Sequence, residues 1–378
     1  MTTMLAAQSV LRVGPGQTYA DIPPAIAAAA PGDLVLVAAG TYSPFTLDKG
    51  ITLRADPVGA AVDIGVINQT GAIVCAVPAG QHGHLEQLSC LQAVEVRPPQ
   101  GATTAGAVSF VDLDLLATVT VQGAALALHR CVCRGYTVTG HGLVLGGAAT
   151  VSASQCTIFG GSTFFAAAPS GIAASGTATL SCSDCTIEGG YQGSVHTIVA
   201  IASGIALTGA ARVWLVDSTA NALQAPFVNA FAVGIDNQSS QPVTIERCTV
   251  LDSRGNPNVW TGTVQPGLLL GLSTTAPMVR GSTFRLDFRS RPGLPVAAHG
   301  AFGLGAPASL PLLVQPEWGF AANSIPLALM IADAQGAAGL PVTLPNVAWL
   351  QDLPLWFCGW TEQNLPLQLS PVVGGLVR

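Results

Sequence analysis

Acidic and basic side chains recur at one fixed place in a repeated pattern of this sequence. Asp184, Asp217 and Arg247 each stand immediately before a small residue that anchors the pattern, in a chain with only 9% charged residues. Two neighbouring carboxylates shift each other's pKa, as a general acid and base pair requires, and an adjacent arginine can hold an acidic sugar or stabilise charge. We therefore name these three residues as catalytic candidates, with Glu188 and Glu246 nearby as candidates for substrate binding.

The repeat that carries these residues has a constant local form. In TVSASQCTIFGG (150–161) and TLSCSDCTIEGG (179–190), apolar residues stand five and three positions before an anchor and two positions after it. Alternating apolar positions on both sides of a short gap predict a strand, a tight bend and a second strand that face one interior. The same pattern surrounds eight anchors, which are Leu88, Leu113, Cys131, Cys156, Cys185, Ser218, Cys248 and Ser282.

The distances between these anchors are unequal, which indicates stacked coils joined by loops of different lengths. Such stacking forms a parallel β-helix, because one coil cannot bury its inner face alone. Neighbouring coils about 4.8 Å apart would bring Asp184 and Asp217 together, with Arg247 on the next coil. The competing interpretation is structural: polar ladders occur at solenoid bends, and Asp112 beside Arg130 has the form of an ion pair.

The cysteines follow the same repeat. Cys131, Cys156, Cys185 and Cys248 share the anchor position, so we expect small buried residues that fill a tight inner bend. Cys182 and Cys185 have the spacing of half a zinc site, but no second pair stands at ligand spacing, so we predict no metal bound by thiols.

The overall composition limits the possible partners. The formal net charge is -6, with a single lysine, and this leaves no basic stripe for a nucleic acid backbone. Glycine, proline, serine and threonine interrupt every apolar run, so we expect no membrane span. The small residues of 5–8 resemble the end of a secretory signal, and we expect an exported or surface-exposed protein. A short tail on a cytosolic protein is the alternative.

The N-terminal region resembles a known family. The segments VGPGQTYADIPPAIAAAAPGDLVLVAAGTY and KGITLRAD resemble the start of pectin-lyase-like right-handed parallel β-helix proteins. This resemblance implies an all-β solenoid whose open end is covered by a short amphipathic helix, here capped by Asp21. Members of the family cleave polysaccharides with aspartate clusters and in some cases bind calcium, which makes calcium a possible cofactor. Their combined catalytic motifs are not present together in this chain, and His141 in TGHGL lacks the paired aspartates.

Aromatic side chains on the long loops are further candidates for substrate binding. Tyr191, His196 and Trp260 lie in loops between the predicted coils, where rings suit stacking on sugars. Folding back onto the coils as a local core is an equally good interpretation.

The chain divides into four segments on this interpretation. We expect a tail at 1–13, the β-helix at 14–300, a linker at 301–309 and a β-sandwich-like module at 310–378, where tryptophans form a core and the module covers the open end of the solenoid. The leading hypothesis is a surface-exposed β-helix that binds, and possibly cleaves, polysaccharide as a lyase or glycoside hydrolase. The alternative is a non-catalytic structural or adhesive surface protein.

Overall fold

Three long parallel sheets run side by side along most of the chain. The computed structural model describes residues 8–66, 71–136, 140–163, 167–194, 197–223, 231–304, 314–315, 324–361 and 367–378. Each coil contributes one strand to each sheet, and every pairing within the three sheets is parallel. The chain is a right-handed parallel β-helix, so the predicted fold class is confirmed.

We call the three sheets A, B and C. Sheet A has eleven strands, Val10–Val13, Leu34–Val37, Thr52–Ala55, His82–Glu86, Ala107–Val111, Ala125–His129, Thr150–Ser154, Thr179–Ser183, Arg212–Val216, Val243–Glu246 and Val264–Pro266. Sheet B has nine, Gly40–Tyr42, Val62–Ile64, Ser89–Cys90, Asp114–Leu115, Val132–Arg134, Thr157–Phe159, Thr186–Glu188, Thr219–Asn221 and Thr249–Leu251. Sheet C has nine, Thr46–Leu47, Ala72–Cys75, Ala93–Val96, Val119–Gln122, Leu143–Gly146, Ile172–Ala174, Ile205–Leu207, Ile235–Asn237 and Trp260–Thr261.

The inner face of each coil is apolar, as the repeat requires. Val151 is in register with Leu180, and Ile158 is in register with Ile187 on the next coil. These four side chains are at most 1% exposed. Stacking therefore builds one continuous core from short strands that could not bury an apolar face individually.

From the strand His82–Glu86 to the strand Val243–Glu246, each coil turns from sheet A into sheet B at one residue with a left-handed backbone. Seven residues before the anchors have φ between 49° and 58°, and they are Gln87, Asp112, Arg130, Gln155, Asp184, Asp217 and Arg247. The left-handed region is uncommon for residues other than glycine, although Asp tolerates it better than most. The candidate residues therefore form the bend itself, and we call this set of seven residues the bend column.

The anchors satisfy a backbone group that the bend exposes. The thiol of Cys156 donates to the carbonyl of Ser154 at 3.2 Å, and the hydroxyl of Ser218 donates to the carbonyl of Val216 at 2.8 Å. Cys185 makes the same contact two residues back. Burial raises the pKa of the Cys131, Cys156 and Cys185 thiols, so these side chains are neutral structural donors. They are the small buried residues that the sequence predicts at the inner bend.

A short helix, Ile22–Ala28, lies at the N-terminal end of the solenoid. At its first turn, the carboxylate of Asp21 accepts a hydrogen bond from the backbone N–H of Ile22. At its C-terminal end, the ammonium group of Lys49 donates to the carbonyls of Ile26, Ala27 and Ala29. Ile22 and Ile26 are buried on the solenoid core. Within the described ranges, no helix is long and apolar enough to cross a membrane.

Antiparallel strands follow the last coil. A three-stranded sheet contains Gly271–Thr274, Thr283–Arg289 and Ala337–Thr343, and a six-stranded sheet contains Pro295–Ala301, Val314–Gln315, Ile325–Ile331, Pro354–Thr361, Leu367–Leu369 and Val373–Leu376. A 3-10 turn spans Ala348–Leu350, and a small sheet beside the solenoid contains Ser162–Thr163, Tyr191–Ser194 and Thr197–Ile201.

These strands change two boundaries of the sequence prediction, the end of the solenoid and the start of the linker. The parallel coils end at Pro266, so residues 271–300, which were predicted to belong to the solenoid, are antiparallel, and Ser282 is not an anchor. Ala301 ends a strand instead of beginning a linker, and residues 305–309 lie outside the described part. The long alternating strand Thr283–Arg289 resembles one half of a coil in sequence, which explains the wrong anchor at Ser282.

We call residues 271–378 the C-terminal module. It packs along the outer face of sheet A, whereas the sequence predicted that it would cover the open end of the solenoid. Ser152 accepts from the N–H of Val372 at 3.1 Å, Ser154 donates to its carbonyl at 2.9 Å, and Ser183 accepts from the N–H of Leu272 at 3.2 Å. Small outward side chains let two sheets approach closely while each backbone polar group keeps a partner.

One tryptophan of the module is buried and another is not. Trp356 is 0% exposed and contacts Ala107, Ala125 and Ala127 of sheet A, as expected of a core residue. Trp349 is 65% exposed, so its predicted core position was wrong. Trp318 lies outside the described residues.

A buried polar network lies under the module. The Oγ atom of Ser109 lies 2.8 Å from Nε2 of His82 and 2.7 Å from Nδ1 of His84, and Nε2 of His84 lies 3.2 Å from the Glu86 carboxylate. This Ser–His–Glu order resembles a nucleophile with its base and orienting acid. Ser109 is 0% exposed and Trp356 packs edge-on against both histidines, so no substrate reaches the hydroxyl and the network serves the docking of the module.

His129 forms a second part of this interface. Arg130 donates to Nε2 of His129, and Nδ1 of His129 lies 2.8 Å from the hydroxyl of Ser154, which itself donates to Val372. A ring nitrogen that accepts from a guanidinium carries no proton. Burial and then the charge of Arg130 lower the pKa of His129 well below its usual value.

Acid is therefore expected to weaken the folded protein. Burial lowers the pKa of His82 to about 3, and burial with the charge of Arg130 lowers the pKa of His129 well below its usual value. Both rings therefore stay neutral in the folded protein but bind protons in the unfolded chain at pH below about 6.5. The free energy of unfolding should fall with decreasing pH, by up to about 1.4 kcal/mol per pH unit for each histidine. Burial raises the pKa of Glu86, but hydrogen bonds from His84 and Arg378 outweigh this and lower it, so its contribution is lost only below about pH 4.

Urea unfolding between about pH 7.5 and about pH 5 measures this slope. The substitution His129→Gln keeps an amide that can accept from Arg130 and donate to Ser154 but does not titrate, so the slope should become less steep. A stability that is constant or rises on acidification would contradict the neutral buried histidines.

Candidate functional site

A polar cleft lies where the bend column meets the C-terminal module. Its volume is about 280 Å³. We call it the Asp–Arg cleft. Three carboxylates and two guanidinium groups line it, together with one strand of the module, and its lining residues are Ser183, Asp184, Asp217, Arg247, Gly271, Leu272, Ser273, Asp287 and Arg289. The three predicted catalytic candidates therefore share one cleft.

Neighbouring coils supply the solenoid wall of the cleft. Ser183 is in register with Val216, and Val216 is in register with Glu246, so the following residues Asp184, Asp217 and Arg247 stand on three consecutive coils. Their common left-handed backbone turns each side chain away from the core at the same point of the coil.

Asp217 and Arg247 form a two-point ion pair. Nε of Arg247 donates to Oδ1 of Asp217 at 2.7 Å, and Nη2 donates to Oδ2 at 3.0 Å. The same Nη2 donates to the backbone carbonyl of Arg289 at 3.0 Å, which ties the pair to the module. A Cβ atom on Gly271 would lie 2.2 Å from Oδ2 of Asp217, so this position must be glycine for the strand to approach the pair.

Asp184 differs from Asp217 in its surroundings. It makes no ion pair within the described residues and stays accessible to solvent from the cleft. Partial burial raises the pKa of its carboxyl; the nearby Asp217 acts in the same direction, while a hydrogen bond from Gln155 and the charge of Arg289 oppose them. A carboxyl group with a raised pKa in a polar cleft suits the role of a proton donor.

The same column contains a second ion pair of identical form. Arg130 holds Asp112 at 2.7 Å and 2.9 Å through the same atoms that Arg247 uses for Asp217. Asp112 also receives Arg378 from the end of the module at 3.3 Å. Because this pair lies outside the Asp–Arg cleft, the Asp–Arg combination is in part a structural feature of the bend column.

Neither of the two predicted glutamates lines the cleft. Glu246 pairs with Arg247 at 3.5 Å and with Arg291 of the module at 3.4 Å. Glu188 ends a strand of sheet B, beyond the anchor Cys185, and burial raises its pKa. The structure therefore places Glu246 next to the cleft and Glu188 on another face.

The predicted aromatic candidates lie elsewhere on the solenoid. Trp260 belongs to the last strand of sheet C, where it packs against the solenoid core. Tyr191 belongs to the small sheet and packs against Ile201 and Ala222. His196 lies outside the described residues. Neither Tyr191 nor Trp260 lines the Asp–Arg cleft.

Sequence reasoning missed the module's side of the cleft. Asp287 and Arg289 come from one strand in which alternate residues face outward, and Asp287 pairs with Arg285 at 2.6 Å. The sequence signal was available as the charged alternation RLDFR at 285–289. The position of this segment opposite Asp184 could not be predicted from the sequence, because that position depends on how the module docks on sheet A.

The described residues were also searched for side chains that could hold a metal ion. Among the described residues, no group of three or more His, Cys, Asp or Glu side chains is arranged to hold a metal ion. All nine cysteines are free thiols.

The chain was compared with protein families, curated proteins and solved structures. No protein-family model matches the chain, and no curated protein matches it. Two solved structures are similar to it. The enzymatically active domain of tailspike protein 4 of bacteriophage CBA120 is 12% identical with a TM-score of 0.39, over 91% of this chain and 64% of that chain. The Dettilon tailspike protein is 9% identical with a TM-score of 0.26, over 93% of this chain and 86% of that chain. The chain thus spans less than two thirds of the first structure.

The two cleft aspartates should differ in their contribution to stability. Asp217→Asn removes the charge that holds Arg247, so the free energy of unfolding should fall by about 1 kcal/mol. Asp184→Asn should change it by less than about 0.5 kcal/mol, because a neutral amide replaces a carboxyl with no ion pair. Asn tolerates the left-handed backbone at both positions.

Urea unfolding at neutral pH measures both variants. Asp112→Asn is the matched control for the ion pair outside the cleft and should lose at least as much stability as Asp217→Asn, since Arg378 also loses a partner. Equal stability of Asp217→Asn and the unchanged protein would contradict the structural role of the pair.

Proposed function

We propose that the protein binds polysaccharide in the Asp–Arg cleft and that it is exported or surface-exposed, where such polymers occur. The observation that carries this proposal is the cleft itself, about 280 Å³ of space lined by three carboxylates and two guanidinium groups. Its volume is at the lower end of small-ligand sites, which suits one sugar unit at a time. Carboxylates accept and guanidinium groups donate hydrogen bonds, and both suit a ligand rich in hydroxyl groups.

The arginines of the cleft divide between support and binding. Arg247 is committed to Asp217 and to the carbonyl of Arg289. Arg289 makes no ion pair within the described residues, and its side chain lines the cleft opposite Asp184. On this proposal Arg289 and Asp184 contact the sugar, while the Asp217–Arg247 pair keeps the wall rigid and charged.

The second candidate function is cleavage of the polysaccharide, which the raised pKa of Asp184 favours. The raised pKa of Asp184 suits it to donate a proton to the glycosidic oxygen as the bond from that oxygen to the sugar's anomeric carbon breaks. The nearby Asp217 carboxylate would stabilise the positive charge that develops on the sugar, and water would complete the hydrolysis. Neighbouring coils are about 4.8 Å apart, close to the separation of about 5 Å between the two carboxyls of retaining glycosidases.

The non-catalytic alternative draws on the second ion pair. Asp112 and Arg130 repeat the geometry of Asp217 and Arg247 outside the cleft, which supports a purely structural role for this combination. An adhesive surface protein would then bind through the cleft without turnover. Nucleic acid is not proposed as a partner, because the net charge of -6 opposes a phosphate backbone.

Binding can be measured by a glycan array followed by calorimetry on each retained oligosaccharide. Arg289→Gln should weaken binding at least tenfold, because it removes the uncommitted donor of the cleft. Arg134→Gln is the matched control: its guanidinium pairs with Asp114 on sheet B, and its loss should leave affinity unchanged. No retained glycan, or equal affinity of the two variants, would overturn the proposal.

Turnover can be measured on the same oligosaccharides as released reducing ends and as unsaturated products. Asp184→Asn should lower the rate at least about a hundredfold while binding persists, since it removes the proton donor and leaves Arg289 in place. A parallel assay with a chelator tests the possible calcium requirement. Binding without turnover would leave the adhesive alternative as the function.

A further inference from the structure

A second cavity opens at the opposite end of the strand that leads to Asp217. It has a volume of about 230 Å³ and is lined by Arg212, Trp214, Gln241, Pro242, Thr244 and Gln265. Trp214, Thr244 and Gln265 stand in register on three consecutive strands of sheet A, so they form one column of the outer face. We call this cavity the Arg212 pocket.

The Arg212 pocket and the Asp–Arg cleft are separate sites. Arg212 begins the strand Arg212–Val216, and Asp217 follows its other end. Between them, Leu269 packs against Trp214 and Val216 in a small apolar cluster. None of the residues that line the pocket also lines the cleft.

Arg212 has no charged partner within the described residues. Arg130, Arg134 and Arg247 each hold an aspartate of the neighbouring coil, whereas the side chain of Arg212 makes neither an ion pair nor a hydrogen bond in the described part of the chain. A guanidinium beside a cavity presents a planar set of donors that matches an anionic oxygen group at two points.

The other walls supply contacts for a hydroxyl-bearing ligand. Trp214 is 8% exposed and fixed by Leu269 beneath the pocket, so its ring edge is a rigid apolar floor. The side chains of Gln241, Thr244 and Gln265 offer both donors and acceptors, and only a long contact of 3.4 Å joins Gln265 to Thr244. These groups remain available to a ligand.

We propose that the Arg212 pocket binds a sugar unit that carries a negative charge, with Arg212 on the anionic group and the two glutamines on hydroxyl groups. This proposal and the proposal for the Asp–Arg cleft rest on different residues. A negative result for one site therefore does not refute binding at the other. A carboxylate and a sulfate share the required chemistry, because both present two oxygens in one plane to a guanidinium.

The test uses the full chain and three small probes, glucuronate, glucose 6-sulfate and glucose. Binding is followed by NMR of the indole N–H groups, with the Trp214 signal assigned from the variant Trp214→Phe. At least one anionic probe should shift this signal saturably, with a dissociation constant of about 1 mM for a ligand of this size. Glucose should bind at least tenfold more weakly, and added salt should weaken the anion further.

Two variants complete the test. Arg212→Gln should weaken binding of the anion at least tenfold, whereas the control Arg97→Gln, which pairs with Glu95 away from the pocket, should leave it unchanged. Thermal unfolding confirms that both variants are folded. The proposal is overturned if glucose binds as tightly as the anions, if Arg212→Gln matches Arg97→Gln, or if no anionic probe shifts the Trp214 signal.

Discussion

The solenoid depends on a left-handed residue at the bend between sheet A and sheet B in seven of its coils. Each of these seven residues precedes an anchor. Anchors such as Cys156 and Ser218 donate to the carbonyl two residues earlier, which keeps a buried backbone group satisfied at the turn. The cysteine and serine anchors place a small side chain with a polar hydrogen at this bend, and this structural role accounts for the cysteines better than any redox role. At Leu88 and Leu113 the buried anchor is apolar instead.

The bend column also determines what lies beside the C-terminal module. A side chain at the bend projects from the edge of sheet A, where the module docks through serines such as Ser152 and Ser154. Two of its ion pairs, Asp112–Arg130 and Asp217–Arg247, then receive groups from the module, Arg378 in one case and the carbonyl of Arg289 in the other. Beside Asp217 a space of about 280 Å³ remains, and that space is the Asp–Arg cleft.

The solenoid could be predicted from sequence because its constraint is local. The pattern around Cys156 and Cys185 repeats within a dozen residues, and burial of the inner positions leaves no freedom in register. The same pattern correctly placed Asp184, Asp217 and Arg247 on consecutive coils. It could not show that these residues form the bend, since the left-handed backbone is visible only in the folded chain.

The module could not be placed from sequence because docking is a long-range property. The outward positions of sheet A are often serines and alanines, and their sequence does not show that another part of the chain covers them. In the structure they are covered by the strand Val373–Leu376 and by Trp356. For that reason the sequence missed Asp287 and Arg289, ended the solenoid too late and assigned the module to the open end. Aromatic candidates such as Trp260 were proposed because the sequence predicted that they lie in loops. In the structure, Trp260 packs against the solenoid core instead.

The central claim is that a ligand is held between the bend column and the module. Hydrogen–deuterium exchange of the full chain, with and without the oligosaccharide that binds most tightly, tests it directly. The account predicts slower exchange in Gly271–Thr274, in Thr283–Arg289 and at the amides of residues 183–184, which all border the cleft. Protection confined to the other faces of the solenoid, with these three segments unchanged, would contradict it.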